Sequence, residues 1–235
     1  MPVQIVSEHI ANALPGSDNS ASLEMLVAES NHRIANNLSL VAGILRLQVN
    51  ELTRSGRVLE PEQVGQLLAE VGARIETVGR LHRLLAQSAG ASHMELGSYL
   101  QDIAQAAIQS MSGSNVTLKP MSGDHCEIPA QIALSVGFVV GEAVTNSVKY
   151  AHPCAVRGTI ALHCARGGDG STHIQVVDDG VGLPEGFDPR TDGGLGLRMM
   201  RTIAGQLGAK LTFDASGIGL AVDLRLAPNR PVSAN

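Results

Sequence analysis

The chain has 235 residues and a formal net charge of −5, with 44% hydrophobic and 17% charged residues. This balance is typical of a soluble protein that can bury a core, and it excludes a largely disordered chain. Aromatic residues make up 2% of the sequence, so few side chains are available for stacking on nucleic-acid bases. Because the charge is also negative, we expect no nucleic-acid partner.

The N-terminus has no basic segment followed by an apolar run, and the most apolar stretch, 130–144, is too short to span a bilayer. We therefore expect a cytoplasmic protein without membrane insertion. Three widely spaced Cys do not predict a disulfide framework. Each Cys has a His nearby in sequence, so a zinc site is an alternative interpretation, but the spacings favour buried free thiols.

Residues 1–20 are mixed in composition, end in a loop signal, and are expected to form a flexible segment. From Leu23 to about Arg54, apolar residues recur along one line of a helix. Pro61 then begins a second amphipathic helix that runs to about Gln87. The two helices predict an antiparallel hairpin over 21–90. One hairpin cannot cover both apolar stripes, so we expect an all-α, homodimeric four-helix bundle.

The pattern becomes mixed after a Ser/Gly/Ala linker at 88–92. Helices on one face of a mostly antiparallel sheet are expected, which is an α+β sandwich over 93–228 followed by a tail at 229–235. The predicted helices are 95–111, 129–151 and 195–207, and the predicted strands are 116–118, 159–164, 173–177, 210–213 and 220–226.

His32 lies on the polar side of the first predicted helix, between Glu29 one turn earlier and Asn36 one turn later. A carboxylate can hold the N–H of one imidazole nitrogen and leave the other free as a nucleophile. The helix alone favours an ordinary surface histidine on a solvated polar face.

Glu142 and Asn146 are four residues apart on the apolar helix that begins at Pro129, and therefore share one face. Burying both without partners would be costly. Mg²⁺ with a bound phosphate would give Asn146 a partner and leave Glu142 to order water, whereas an internal hydrogen-bonded pair is the structural alternative. Lys149 is either a phosphate contact or a solvated helix end.

Two glycine-rich segments follow. In the first, Asp178 ends a predicted strand, and Gly180 and Gly182 would let the backbone approach a planar ring closely. An acidic turn or an incomplete calcium loop is the alternative. In the second, Gly194 and Gly196 open a helix, whose N-terminus can bind phosphate. The second segment matches neither a Walker A loop nor a dinucleotide fingerprint.

The order of these signals is more specific than any one of them. Glu142–Ala151, Asp178–Gly182 and Gly194–Gly196 resemble the successive boxes of the GHKL (Bergerat) fold shared by gyrase, Hsp90, histidine kinases and MutL. The segment Glu29–Leu38, with Leu45-Arg46-Leu47-Gln48, resembles the phosphoacceptor helix of the HisKA_2/HWE histidine kinases. The resemblance covers residues 23–226.

This resemblance implies a two-component histidine kinase that uses ATP and Mg²⁺. It makes His32 the phosphoacceptor, with Glu29 and Asn36 beside it. It makes Asn146 a ligand of Mg²⁺ and Glu142 the residue that orders water or assists the proton transfer. Asp178 would bind the adenine ring, and the glycines of both segments would shape the pocket. Residues 183–193 would form a short lid. The implied partners are a response-regulator receiver domain, a second copy of the chain, and an upstream sensor.

The sequence departs from the family at Ala35, where Lys is usual, at Gly141, where Asn is usual, and at Tyr150, where His is usual. These changes put the kinase rate in doubt more than the fold. A histidine phosphotransferase or phosphatase with little autokinase activity is therefore one alternative. A non-enzymatic, nucleotide-gated interaction module is the other.

Overall fold

A computed structural model of the chain describes residues 60–86, 93–111, 115–153 and 156–228, together with nine residues between 39 and 53. Those nine residues are all helical. By its internal contacts the chain divides into Met1–Ser39 and Leu40–Asn235. Every element named below lies in the second unit.

The described helices are α1 (Pro61–Ala86), α2 (Leu96–Gln109), α3 (Ala130–Asn146) and α4 (Leu195–Gln206). The strands are β1 (His93–Glu95), β2 (Val116–Leu118), β3 (Ser122–Gly123), β4 (Glu127–Pro129), β5 (Gly158–Arg166), β6 (Thr172–Asp178), β7 (Lys210–Asp214) and β8 (Ala221–Leu226). A π-helical turn, Ser147–Ala151, continues α3.

The main sheet has six strands in the order β2-β5-β6-β8-β7, with β3 also paired to β5. The pairs β5–β6, β6–β8 and β7–β8 are antiparallel, whereas β2 and β3 run parallel to β5. Residues alternate between buried and less buried along β5 and β6, as expected for a sheet with one covered face. Its buried side chains share one hydrophobic cluster with residues of all four helices, among them Ile160, Leu162, Ile174, Val176, Val222 and Leu224.

Helix α3 occupies the centre of this core, because α1, α2 and α4 all pack against it. Its side chains are apolar on nearly every face, which a helix tolerates only when it is surrounded. Within the part of the chain that the structure describes, the helical stretch Ala130–Ala151 is also the one that is long and apolar enough to cross a bilayer. Because 67% of its apolar window is buried inside the protein, the core role explains this composition.

The apolar residues of α1 lie along one stripe of the helix but differ in burial. Val71, Val78 and Leu81 are buried in the cluster that contains α3. Val64, Leu68 and Ile75 are exposed. The apolar stripe was predicted, whereas the packing of part of it on α3 was not.

The α+β architecture with a mixed, mostly antiparallel sheet agrees with the prediction, and each predicted helix and strand from residue 61 onward has a counterpart. Three features were not predicted: the small sheet formed by β1 and β4, the short strand β3, and the change from α- to π-helical geometry at Ser147. The domain boundaries at 20/21, 90/93 and 228/229 remain predictions.

Candidate functional site

Asp178 ends β6 with a buried carboxylate, and the residue is only 2% exposed. Its Oδ1 accepts hydrogen bonds from the backbone N–H groups of Gly180 and Leu220, both at 3.1 Å. Its Oδ2 accepts a hydrogen bond from the Ser147 hydroxyl at 2.8 Å. These three bonds hold the carboxylate in one orientation. A carboxylate oxygen can accept more than one hydrogen bond, so Oδ2 can also receive one from a ligand amine.

The turn after Asp178 lies directly against the end of the α3 segment. The backbone N–H of Val181 donates to the carbonyl oxygen of Ala151 at 2.9 Å. A Cβ on Gly180 would lie 2.3 Å from that oxygen, so a larger residue cannot fit without moving the backbone. Gly182 has a φ of 72°, a conformation that favours glycine. The first glycine-rich segment therefore depends on glycine at both predicted positions.

A π-helical turn at the end of α3 brings this contact about. It carries Ser147, which reaches Asp178, and Ala151, which receives Val181. Short π-helical segments occur frequently at functional sites. Lys149 and Tyr150 lie on the same turn, and both are exposed. Lys149 is therefore accessible to an anion, and its role as a phosphate contact or a solvated helix end stays a prediction.

His152 and Asp179 form a second connection between the same two segments. The His152 Nε2 lies 2.7 Å from Oδ1 of Asp179, which also accepts the Thr159 backbone N–H at 2.7 Å. The Thr159 hydroxyl donates to Oδ2 at 2.6 Å. Burial alone would raise the pKa of Asp179, but the hydrogen bonds from Thr159 and His152 outweigh it and lower that pKa to about 2. The sequence analysis missed this connection, because nothing in the spacing of these residues indicates that they meet.

Glu142 and Asn146 occupy the last turns of α3. Glu142 is buried, and its carboxylate Oε1 lies 3.4 Å from Nε of Arg74 on α1. Asn146 is half-buried at the end of the helix. The two residues share a face, as their spacing predicted. The pairing of Glu142 with a cation from α1 was not predicted.

The second glycine-rich segment adjoins Glu142. Gly194 is the N-cap of α4, with an extended backbone and no side-chain cap hydrogen bond. The first N–H groups of α4 are therefore available to an anion. A Cβ on Gly196 would lie 2.3 Å from Oε2 of Glu142, so the carboxylate packs on the bare Cα of this glycine.

The predicted lid leads into α4 and is tied to that helix. The guanidinium of Arg201 donates from Nη1 to the carbonyl oxygens of Pro189 at 2.7 Å and Asp192 at 2.8 Å. Within the loop, Asp192 accepts the backbone N–H of Asp188 at 2.9 Å, and Arg190 pairs with Asp188. The loop from 183 to 193 thus has a defined attachment to the helix that the second glycine-rich segment opens.

The structure links the predicted residues in two groups, Asp178 with Gly180 and Glu142 with Gly196. His32, Glu29 and Asn36 lie outside the described residues. Among the residues that the structure describes, no group of three or more His, Cys, Asp or Glu side chains is placed to hold a metal ion. Cys126 and Cys164 are buried free thiols, and burial, followed by the proximity of Cys126, raises the pKa of Cys164.

Gly180→Ala should lower the free energy of unfolding by about 2–3 kcal/mol, because the new methyl group clashes with the Ala151 carbonyl. Gly205→Ala in α4 is the matched control. No atom lies within 4 Å of a Cβ built there, and alanine favours the helix by about 0.5–1 kcal/mol. Urea unfolding followed by circular dichroism measures both changes. Equal stability of the two variants would contradict the close packing at Gly180.

Two protein families match the chain, one over each half. The histidine kinase family HisKA_2 matches residues 29–111. The family of histidine kinase-, DNA gyrase B- and HSP90-like ATPases matches residues 132–230, which include both glycine-rich segments. Residues 29–111 thus match a histidine kinase family, and residues 132–230 match an ATPase family that includes the histidine kinases. The second half of the chain is a GHKL ATPase domain, which implies ATP binding.

Individual relatives agree with this assignment. The chain is 27% identical over 211 residues to the blue-light-activated histidine kinase 2 of Erythrobacter litoralis, an alignment that covers 88% of this chain and 58% of the relative. It is also 27% identical over 220 residues to the sensor histidine kinase PdtaS of Mycobacterium tuberculosis, covering 89% and 40% of the two chains. This chain therefore spans only about half the length of these relatives.

Among solved structures, the histidine kinase domain of the Erythrobacter litoralis EL346 blue-light activated histidine kinase matches with a TM-score of 0.62 at 25% identity. The match covers 89% of this chain and 94% of that domain. The similarity thus extends over nearly the whole length of a solved kinase domain.

Proposed function

We propose that this chain acts as the cytoplasmic kinase part of a two-component system: it transfers the γ-phosphoryl group of ATP to His32 and then to an aspartate of a response regulator. The observation that carries the proposal is the Asp178 carboxylate. It is buried, oriented by three hydrogen bonds, and retains acceptor capacity on Oδ2. Such a group suits the exocyclic amine of adenine.

The proposed phosphate end of the site lies where α3 and α4 meet. The uncapped N-terminus of α4 suits the negative charge of the phosphates, and the exposed Lys149 can supply a cation. Asn146 fits a Mg²⁺ ligand, because its side-chain amide makes no hydrogen bond to another described residue. Bound Mg²⁺ supplies charge neutralisation of the phosphates. Glu142 would order water or assist the proton transfer.

In the proposed reaction a ring nitrogen of His32 forms a bond to the γ-phosphorus, and the bond from that phosphorus to ADP breaks. Glu29 would hold the N–H of the other ring nitrogen, and Asn36 would lie beside the phosphohistidine. These three roles rest on the family membership and the order of the residues along the predicted helix. Such a transfer depends mainly on positioning and charge neutralisation.

The proposed partners follow from the same family. Homodimerisation into a four-helix bundle is supported by the exposed Val64, Leu68 and Ile75 on α1, which leave an apolar face for a second copy. A receiver domain would accept the phosphoryl group, and an upstream sensor would supply the signal. The negative net charge and the low aromatic content support the absence of a nucleic-acid partner.

The purified chain incubated with γ-labelled ATP and Mg²⁺ should acquire label that is labile in acid and stable in base, as a phosphohistidine is. A chelator of Mg²⁺ should prevent the labelling. Absence of label despite measurable ATP binding would contradict the autokinase.

A phosphotransferase or phosphatase on the same scaffold is the second candidate, because Ala35 removes a usual lysine one turn from the phosphoryl site. It predicts rapid phosphate exchange with a phosphorylated receiver domain and little labelling from ATP. Measuring both rates on one preparation separates the two activities.

A further inference from the structure

The ion pair between Arg74 and Glu142 joins two parts of the chain that the sequence analysis assigned to different domains. Arg74 belongs to α1, the predicted second helix of the phosphotransfer hairpin, and Glu142 to α3 of the ATPase domain. Nε of Arg74 lies 3.4 Å from Oε1 of Glu142, and the two side chains are 13% and 9% exposed. The pair is therefore largely removed from water.

A carboxylate in such a position is costly unless a cation and hydrogen-bond donors accompany it. The guanidinium of Arg74 supplies the positive charge of this pair, and its contact with Oε1 limits the positions that the carboxylate can take. The helix that carries Arg74 is itself held on α3, because Val71, Val78 and Leu81 lie in the shared hydrophobic cluster.

The other side of the carboxylate is also enclosed. Oε2 of Glu142 packs on Gly196, in the first turn of α4, where a Cβ would lie 2.3 Å away. The same Cβ would lie 3.4 Å from Nη2 of Arg74. The carboxylate of Glu142 thus lies between a guanidinium from α1 and the helix terminus that is open to phosphate.

We propose that Arg74 is a positioning residue for phosphoryl transfer: through this ion pair, α1 orients the Glu142 carboxylate at the phosphate end of the nucleotide site. The inference rests on the proposed function, since it concerns the role of Glu142 in that reaction. It adds that the hairpin contributes a side chain to the site in addition to the phosphoacceptor. A signal that shifts α1 then changes the transfer rate without changing nucleotide affinity.

A four-protein cycle tests this inference: the wild type, Arg74→Gln, Glu142→Gln, and the variant with both changes. For each protein, the rate of His32 labelling at saturating ATP and Mg²⁺ is measured, together with the affinity for a non-hydrolysable ATP analogue. General acid–base and positioning groups contribute about 10²–10⁴-fold to a rate, so Glu142→Gln should slow labelling by about 100-fold. Arg74→Gln should slow it by at least about tenfold, with the analogue affinity within about threefold of the wild type.

The double variant is the decisive member of the cycle. If Arg74 acts through Glu142, the double variant labels no more slowly than Glu142→Gln, because residues that act as one unit are non-additive. Arg74→Lys keeps the positive charge and should recover most of the rate. Arg83→Gln, an exposed arginine near the end of the same helix, is the matched control and should label like the wild type.

Three results would each overturn the inference without contradicting the proposed kinase activity. The rate losses of the two single variants could multiply in the double variant, the affinity of Arg74→Gln for the ATP analogue could fall in parallel with its rate, or Arg74→Gln could label faster than the wild type. Absence of label on the wild type is a separate result. It would contradict the proposed function and therefore also the role proposed for Arg74.

Discussion

Replacing Asp178 by Asn should weaken ATP binding by about 100-fold, which corresponds to about 3 kcal/mol. Asn has nearly the same size, but one of its two terminal groups is an N–H donor. If its carbonyl faces the N–H groups of Gly180 and Leu220, its amide faces Ser147 and the ligand amine. If the amide is flipped, its NH₂ group faces the backbone N–H groups of Gly180 and Leu220, and these donors have no acceptor. Either orientation leaves a buried polar group without its proper partner.

Titration calorimetry with ATP and with adenosine measures the loss, and the two ligands should be affected to a similar extent because both present the same amine. Asp179→Asn is the matched control. Asp179 is bound by Thr159 and His152 rather than aimed at a ligand, so its variant should bind ATP within about threefold of the wild type. An Asp178→Asn variant that is folded by circular dichroism yet binds ATP normally would refute the assignment of adenine reading to this residue.

His32→Ala should abolish labelling from ATP while ATP affinity remains unchanged, because the substitution removes the nucleophile and not the nucleotide site. The measurement is the acid-labile label acquired with γ-labelled ATP, paired with calorimetry on the same protein. Transfer to a receiver domain should disappear together with the label.

His82→Ala is the matched control, since His82 is an exposed histidine on α1. It should retain labelling within about twofold, because it lies on the other predicted helix of the hairpin and is not the proposed nucleophile. Label that persists in His32→Ala and is lost in His82→Ala would transfer the phosphoacceptor role to the second helix.

The sequence alone was sufficient to predict the elements from residue 61 onward, because hydrophobic periodicity and the Pro and Gly positions are local signals. Pro61 begins α1, and the predicted strands around 116–118, 159–164 and 173–177 correspond to β2, β5 and β6. The short strands β1, β3 and β4, of two or three residues each, were missed. The hairpin partner of α1 remains a prediction from the same kind of pattern.

The candidate site residues of the ATPase domain were also predicted from the sequence. Glu142 and Asn146 share a helix face at a spacing of four, and Asp178 ends a strand with glycines after it. The order of these motifs along the chain was more informative than any of them alone, and the family matches over 29–111 and 132–230 confirmed the resemblance to histidine kinases, while the roles of the individual residues stay predictions.

The partners of these residues were decided only by the tertiary structure. Ser147 binds Asp178 across 31 positions of sequence, and His152 binds Asp179 across 27. Arg74 reaches Glu142 because α1 packs on α3. The apolar periodicity of α1 could not show whether the helix packs on α3 or inside a helical bundle. The physical reason is that periodicity records which face of an element is apolar, whereas the partner of a buried charge depends on which other element covers that face.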